Sequence, residues 1–481
     1  MTERSSRAAL AASLLATLAA TLAIWAVFYP GLLSTDSLYH YRQAVGARFS
    51  AIWHPPLLPM LASVVFALGG DLGVLMLLQA LAMLFGVRSL LAQTALHVLP
   101  AGTSRRHAPL LALAGLAVLL LPFSPLAYYA MTLWKDSWEA ILMLWLGALA
   151  FRLRRLEPAS DAAARMLLAL LVVVATMAAM VRLNGTALLP AAAALIYLAG
   201  RGRGRRPALA AALLPLLVAP AANAWLNHRL NRHDPFAGTI SEHPYSQIML
   251  LELAGLCALS EQTCAGLPHF RSFVLHDRLA ERYRPGDIGA LFWEQPPILG
   301  DAVFRSPYPP LRAEYLRAVR ANPLAIARLK LLSFYHLLGL ERTALFFQST
   351  IEPNDLELEL DRRLASLRGR LVGFTTRAGE GGPLRWLSGV HLVWLAINLV
   401  GIAAAASSGA LRRLPGSAVL VALLAVTLSY YLSYLPGTPV REFRLLYPAT
   451  LVVQCLFLGW LGAFLVAAAE RRRRPTSPPV A

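Results

Sequence analysis

Residues 165–206 read RMLLALLVVVATMAAMVRLNGTALLPAAAALIYLAGRGRGRR. Two apolar blocks, 165–182 and 185–199, are separated by a two-residue turn and followed by a run rich in arginine. An α-helix needs about 20 apolar residues to cross the roughly 30 Å hydrocarbon core of a bilayer. The blocks approach this length, so the stretch predicts a pair of membrane helices whose arginine-rich end faces the cytoplasm.

The same composition extends over the whole chain of 481 residues. It is 57% hydrophobic and 15% charged, whereas soluble domains have about 45–50% apolar and about 25% charged residues. This excludes a soluble globule, a disordered chain and a disulfide scaffold. The net charge of +18 falls largely in short loops between apolar blocks, where it indicates topology and not nucleic-acid binding. Membrane lipid phosphates are the expected partners of the remaining basic charge.

Ten blocks approach the length and composition of membrane spans, so the sequence predicts an all-α polytopic membrane protein. They are 8–29, 72–98, 108–130, 137–152, 165–182, 185–199, 207–226, 384–406, 416–435 and 447–469. The first block follows Arg4 and Arg7 and has no small-residue cleavage site after it. It is therefore interpreted as a retained helix and not as a signal peptide.

Arginine clusters fall in alternate loops, which gives an orientation by the positive-inside rule. The clusters are 105–106, 152–155, 201–206, 412–413 and 471–474. With all five in the cytoplasm, both termini lie inside. Five loops then face outward: 30–71, 131–136, 183–184, 227–383 and 436–446.

This topology divides the chain into an N-terminal membrane module, an extracytoplasmic loop domain, C-terminal membrane helices and a disordered cytoplasmic tail: 1–226, 227–383, 384–470 and 471–481. The short apolar segment 57–70 in the first outer loop is predicted to lie on the outer membrane surface. The stretch 324–346 belongs to a helical external domain or dips into the membrane. Cys257 and Cys264 lie in the same outward loop, where a disulfide is permitted but the spacing leaves it open.

The first outer loop, 30–71, holds the candidate catalytic residue, Asp36, just beyond the first span. A carboxylate at the membrane surface can take a proton from an acceptor hydroxyl or amine as a general base. The alternative is that Asp36 caps the helix that follows it.

The second outer loop begins a helix with Lys135, Asp136 and Glu139. The two carboxylates are three residues apart and share one helix face. They can bind a divalent cation or orient an acceptor. Alternatively, Asp136 is a helix cap that benefits from the helix dipole.

Three arginines lie on the outer side of the membrane, against the positive-inside trend: Arg182, Arg441 and Arg444. The planar guanidinium group suits bidentate binding of phosphate, so a lipid phosphate is the natural ligand. The alternatives are that Arg182 extends toward water and that Arg441 or Arg444 pairs with Glu442 or with an acid in the large loop.

Taken together, these features resemble the integral-membrane GT-C glycosyltransferases, which include protein O-mannosyltransferases and lipid A aminoarabinose transferases. The resemblance rests on the early acidic residue Asp36, on the motif His54-Pro55-Pro56-Leu57 and on the order of the loops. It implies a seven-helix module with two interfacial helices in the first outer loop, followed by a large extracytoplasmic loop.

The resemblance also implies an activity, namely transfer of a sugar from a polyprenyl-phosphate carrier to a lipid, glycan or protein acceptor outside a bacterial inner membrane. Asp36 is then the catalytic residue. The substrate-binding candidates are His54, Lys135, Asp136, Glu139, Arg182, Arg441 and Arg444. Many members have paired acids where this chain has Asp36-Ser37, so no metal is expected there. The resemblance places the one candidate cofactor, a divalent cation, at Asp136 and Glu139, which match second-loop acids that some members use with a metal.

Two other classes of function share part of the pattern. An O-antigen ligase or polymerase also has many spans and a large outer loop, but its key residues lie in that loop and Asp36 is not needed. A transporter or lipid flippase predicts inverted repeats and charges at the membrane midplane. The sequence has no repeat of fixed period, and it lacks the Walker-A pattern of an ATP-driven protein.

Overall fold

The computed structural model is helical throughout, with no β-strand among the residues that it describes. Those residues are 2–51, 54–99, 101–122, 124–156, 161–231, 238–243, 245–275, 279–341, 346–409 and 416–473. The predicted all-α class is therefore confirmed. The arginine pair 412–413 and most of the tail 471–481 lie outside the described residues.

Ten α-helices form the first part of the chain: α1 (Thr2–Val27), α2 (Thr35–Gly46), α3 (Leu57–Ala67), α4 (Leu72–Val98), α5 (Ala101–Leu119), α6 (Leu126–Met131), α7 (Lys135–Arg155), α8 (Asp161–Val181), α9 (Leu189–Gly200) and α10 (Arg205–Asn231). The large loop contains four longer helices and several short ones: α11 (Ser246–Leu259), α12 (Glu261–Ala265), α13 (Pro268–Arg271), α14 (Leu279–Arg282), α15 (Gly289–Phe292), α16 (Ala302–Arg305), α17 (Tyr308–Ala321), α18 (Pro323–Leu337) and α19 (Ala365–Glu380). The short helix α20 (Arg385–Ser388) follows it. The described part of the chain ends with three long apolar helices: α21 (His391–Ser407), α22 (Ser417–Leu432) and α23 (Tyr447–Arg473).

Six helices in the described ranges are long and apolar enough to cross a membrane. They are Arg4–Val27, Leu72–Val98, Asp161–Val181, Leu183–Arg203, Arg205–Asn231 and Tyr447–Arg472. All six coincide with predicted blocks. They support a multi-pass α-helical membrane protein.

The expected ten spans are not reached, because four predicted blocks differ from a full span in length or charge. Block 108–130 is interrupted after Leu119 and continues only as the short α6. Helix α7 has 21 residues, but charged side chains occupy both of its ends. Helices α21 and α22 have 17 and 16 residues, fewer than the about 20 that a full crossing needs.

The long helices share one hydrophobic core with α4 near its centre, where it packs against α1, α5, α7 and α23. Met76, Met83 and Val87 on α4 are fully buried. A glycine permits the closest approach between α7 and α22, because a Cβ at Gly147 would lie 2.6 Å from Leu423. Small residues at such contacts let membrane helices pack at short range.

The large outer loop divides between two cores. Residues 240–329 form a hydrophobic cluster of their own, which we call the external cluster; Cys257 and Cys264 form a disulfide beside it. Residues 346–372 pack instead against the core of the long helices. Helix α18 belongs to both cores, since its first half faces the external cluster and its second half faces the long helices. This double burial accounts for the apolar character of 324–338, whereas 342–345 lie outside the described residues.

A short extended segment after α1 fixes the first outer loop. Leu32 donates its backbone N–H to Met131 at 2.7 Å, on one side of the segment. On the other side, Leu33 donates to Thr350 at 3.3 Å and accepts from Glu352 at 2.9 Å. The start of α2 is therefore held between the second outer loop and the segment that follows α18.

The second outer loop depends on one buried amide, whose loss we expect to destabilise the fold. The side chain of Gln79 donates to the carbonyls of Tyr129, Ala130 and Thr132, at 2.8–3.3 Å. Gln79→Met keeps the side-chain volume but removes a donor that three buried carbonyls share, which costs about 1–3 kcal/mol. The carbonyls of Tyr129 and Thr132 keep their bonds from Ser137 and Trp134. The midpoint of thermal unfolding in detergent should therefore fall.

Gln93→Met is the matched control, because Gln93 lies half-buried on the same helix and its side chain makes no hydrogen bond to the residues that the structure describes. We expect its unfolding midpoint to stay near that of the wild type. Equal midpoints for the two variants would contradict the role given to Gln79.

Candidate functional site

A cavity of about 440 Å³ lies where the external cluster meets the ends of the long helices that carry the predicted outer loops. It collects side chains from all five predicted outer loops or their borders. Its charged and titratable lining consists of Asp36, His54, Lys135, Asp136, Arg182, Glu442 and Arg444. Six of these are predicted site residues that lie far apart in the sequence.

Asp36 lies in the first turn of α2 and faces the cavity with its side chain 32% exposed. It does not cap the helix, so that alternative is wrong. The cap is Ser34, whose hydroxyl accepts from the backbone N–H of Ser37. Trp134 fixes this hydroxyl by donating its indole N–H to Ser34 at 2.8 Å. The carboxylate of Asp36 is therefore available for other partners.

Arg444 is the principal partner of Asp36. Its Nη2 lies 2.8 Å from Asp36 Oδ2, and its Nε binds the carboxylate of Glu442. The guanidinium group also lies over the ring of Trp134, 4.9 Å from the ring centroid, in a cation–π contact. A side chain with these three contacts is held in one orientation at the cavity wall.

The turn that carries Arg444 is held from behind by residues that the sequence analysis missed. The ring of His391 hydrogen bonds through Nε2 to the carbonyl of Phe443 at 2.8 Å and through Nδ1 to Thr450 Oγ1 at 2.7 Å. Tyr431 also contacts Thr450 Oγ1 at 2.7 Å. Polar residues at the ends of apolar blocks were the only sequence signal for this support.

His54 and Lys135 complete the surroundings of Asp36. His54 Nε2 lies 3.7 Å from Asp36 Oδ1, while His54 Nδ1 contacts the ammonium group of Lys135. The ring of His40 lies behind His54, with 4.9 Å between the ring centroids, and is buried. One carboxylate therefore has a guanidinium, an imidazole and the amine of Lys135 close to it. Burial, followed by the positive charge of Arg182, lowers the pKa of Lys135 to about 7, so the amine is partly protonated at neutral pH.

The electrostatics of this group favour an ionised Asp36 and a neutral His54. Burial alone would raise the pKa of Asp36, but Arg444, followed by His54 and Lys135, holds it well below its usual value. Burial and the positive charge of Lys135 lower the pKa of His54 to about 4. At neutral pH, Asp36 is thus a carboxylate and His54 an uncharged imidazole.

Asp136 and Arg182 form a buried ion pair at the side of the cavity, with 0% and 7% of each residue exposed. Arg182 therefore turns toward a carboxylate and does not extend into water. Glu139 lies one turn further along α7, fully buried and away from the cavity lining.

The predicted divalent cation at Asp136 and Glu139 has no ligand set in the part of the chain that the structure describes. No group of three or more His, Cys, Asp or Glu side chains is placed there to hold a metal ion. In addition, the guanidinium of Arg182 already neutralises the charge of Asp136.

Arg441 lies outside the cavity lining, although it precedes Arg444 by only three residues. Its Nε donates to the carbonyl of Pro285 at 2.6 Å, and its Nη1 lies 3.9 Å from Glu341 Oε2. It thus binds the large loop, as one alternative foresaw. Of the eight predicted site residues, all but Glu139 and Arg441 line the cavity.

The external cluster contributes lining residues that the sequence analysis also missed, including Tyr245, Gln247 and Trp293. Comparisons of the chain with protein-family models, with curated proteins and with solved structures found no match. Inference about function therefore rests on the cavity and on the sequence resemblance.

The coupling between His54 and its neighbours predicts shifts of opposite sign in two variants. Lys135→Met removes a positive charge, so the pKa of His54 should rise above about 4. Asp36→Asn removes a negative charge 3.7 Å from the ring, so the pKa should fall further. The measurement is a pH titration of ¹⁵N-histidine NMR signals, with the signal assigned by its loss in His54→Gln. A titration near 6.5 that neither variant moves would contradict this geometry.

Proposed function

We propose that the chain is a GT-C-type glycosyltransferase that transfers a sugar from a polyprenyl-phosphate carrier to an acceptor at the outer membrane surface. The observation that carries the proposal is the ionised Asp36 in the cavity, with Arg444, His54 and Lys135 around it. This arrangement offers a proton acceptor for the attacking group. It also offers positive charge for a departing phosphate.

The proposal includes the orientation and the full set of ten crossings. Helices α5, α7, α21 and α22 pack against the six candidate spans, and in this proposal they cross the same layer even where they are short. The arginine clusters then face the cytoplasm. The cavity faces the periplasm of a bacterial inner membrane, where a lipid-linked sugar arrives on its carrier.

The reaction is a displacement at the anomeric carbon. The acceptor oxygen or nitrogen forms a bond to this carbon while the bond from the carbon to the carrier phosphate breaks, and the electron pair of that bond stays on the phosphate. Attack from the opposite face inverts the configuration. The guanidinium of Arg444 and the ammonium of Lys135 stabilise the charge that develops on the phosphate.

Asp36 accepts the proton of the acceptor. Its low pKa makes it a weak base, but an attacking hydroxyl becomes strongly acidic as its new bond to carbon forms, so transfer late in the step is favourable. His54 lies beside the carboxylate and helps to orient it. Glu442 binds the same Arg444 as Asp36 does. It therefore brings a second carboxylate to the site, although the sequence has Ser37 at the position where many members of the family have a second acid.

The proposal is tested by mass spectrometry of membrane glycolipids and surface glycans in a deletion strain and in complemented strains. We expect one sugar to disappear in the deletion strain and to return with the wild type. Asp36→Asn should fail to restore it, because loss of a general base reduces the rate by about 10²–10⁴-fold. Asp355→Asn is the matched control, since Asp355 is exposed and outside the cavity.

Other outcomes of this comparison contradict the proposal. Polysaccharide chains that accumulate on their lipid carrier would favour the ligase function. Unchanged glycans in the deletion strain would favour a transporter.

The orientation has a separate test by cysteine labelling. The native cysteines give little background, because Cys257 and Cys264 are bonded and Cys455 is buried. We expect Glu359→Cys to react with a membrane-impermeant maleimide in intact cells. Arg206→Cys should react only after permeabilisation, and the reverse pattern would contradict the orientation.

A further inference from the structure

The cavity has a second wall that the mechanism above does not use. This wall belongs to the external cluster and includes Tyr245, Gln247, Ile248, Ile288, Phe292 and Trp293. None of these side chains is charged. The charged lining residues that the structure describes come from other elements: the first outer loop, the start of α7, the end of α8 and the last outer loop. The external cluster thus contributes neutral and aromatic lining, and the long helices with their loops contribute the charges.

Two aromatic rings on the neutral wall are exposed, although the backbone of both residues is hydrogen-bonded to neighbouring residues. Trp293 is 67% exposed and Tyr245 is 58% exposed. Trp293 donates its backbone N–H to Gly289 at 2.9 Å, and the carbonyl of Tyr245 accepts from Met249 at 3.1 Å. Exposed apolar surface that borders a cavity is typical of a binding site.

Amide side chains accompany these rings. Gln247 lies on the same wall, and Asn184 lines the cavity from the side of the long helices. An amide offers both a hydrogen-bond donor and an acceptor without charge. This matches a hydroxyl group, which also donates and accepts.

We propose that the neutral wall is the acceptor subsite and that it binds a neutral saccharide ring. A sugar ring has a face of C–H bonds that stacks on Trp293 or Tyr245, and its edge of hydroxyl groups matches the amide of Gln247. An anionic group would find no cation on this wall. This inference rests on the proposed glycosyltransferase function and assigns a glycan, in preference to a protein or a lipid, as the acceptor.

The division of the cavity also sets the direction of transfer. The carrier phosphate occupies the side of Arg444 and Lys135, and the acceptor ring lies against the external cluster. A hydroxyl of the acceptor then points across the cavity toward Asp36. The volume of about 440 Å³ is within the range of about 300–1,000 Å³ that small-molecule sites occupy.

The test is saturation-transfer NMR on the full chain in lipid nanodiscs, with methyl glycosides of glucose, mannose, galactose, rhamnose and N-acetylglucosamine as probes. We expect saturation of ring C–H protons for at least one glycoside. Trp293→Ala should raise its Kd at least tenfold, and Trp293→Phe, which keeps a ring, should raise it less. Trp386→Ala is the matched control, because Trp386 is 51% exposed but does not line the cavity.

Three results would overturn the inference. The first is that none of the glycosides binds, and the second is that Trp386→Ala weakens binding as much as Trp293→Ala does. The third is that brominated lipid quenches the fluorescence of the wild type more than that of Trp293→Phe. The last result would identify the wall as a lipid surface.

The subsite and the proposed function fail in distinguishable ways. Asp36→Asn should lower the glycoside affinity less than Trp293→Ala does, while it abolishes sugar transfer in cells. Binding that depends on Trp293, together with normal glycans in Asp36→Asn, would remove the proposed function and leave the subsite. Glycans that depend on Asp36 but not on Trp293 would remove the subsite alone.

Discussion

The ion pair between Arg444 and Asp36 connects the first outer loop to the last one, and the other features of the cavity are arranged around it. A buried charge needs a partner and further hydrogen bonds to offset its desolvation. Arg444 obtains these from Asp36 and Glu442. Trp134 contributes on both sides of the pair, since its ring lies beneath Arg444 and its N–H binds the cap of the helix that carries Asp36.

The external cluster contributes to this geometry through the loop that precedes Arg444. Lys330 joins Glu252 to the carbonyl of Pro436, and Ile288 donates to the carbonyl of Pro439 at 3.0 Å. Arg441 adds its contact to Pro285. The two arginines of the last outer loop therefore have different tasks: one attaches the loop to the external cluster and the other faces the cavity.

The sequence predicts the features that depend on local composition. Long apolar blocks become helices such as α4 and α8 because length and hydropathy alone decide whether a helix suits a bilayer. The shorter blocks were less predictable, since a helix surrounded by neighbours, such as α22, can be short and still be buried. The polar residues of the predicted outer loops also indicated most of the charged cavity lining, because carboxylates and arginines stand out beside long apolar blocks.

Features that depend on tertiary contacts could not be predicted in the same way. Ser34 and Asp36 are both good helix caps, and the indole of Trp134 selects Ser34. Arg441 and Arg444 have similar surroundings in the sequence, but they lie on an irregular loop and a short turn whose directions no periodicity reveals. The aromatic wall of Tyr245 and Trp293 comes from separate short helices, so only folding brings these rings together.

The claim on which this account depends is that the cations of the cavity bind a lipid phosphate, and binding of undecaprenyl phosphate to the purified chain in nanodiscs tests it directly. A hydrogen bond to a charged group contributes about 1.5–3 kcal/mol, and about 1.4 kcal/mol corresponds to a tenfold change in Kd. We expect Arg444→Gln to weaken binding by about ten- to a hundredfold, whereas Arg441→Gln, which loses only an anchor of the same loop, should weaken it much less. Equal affinities for the wild type and both variants, or equal losses in the two variants, would contradict the claim.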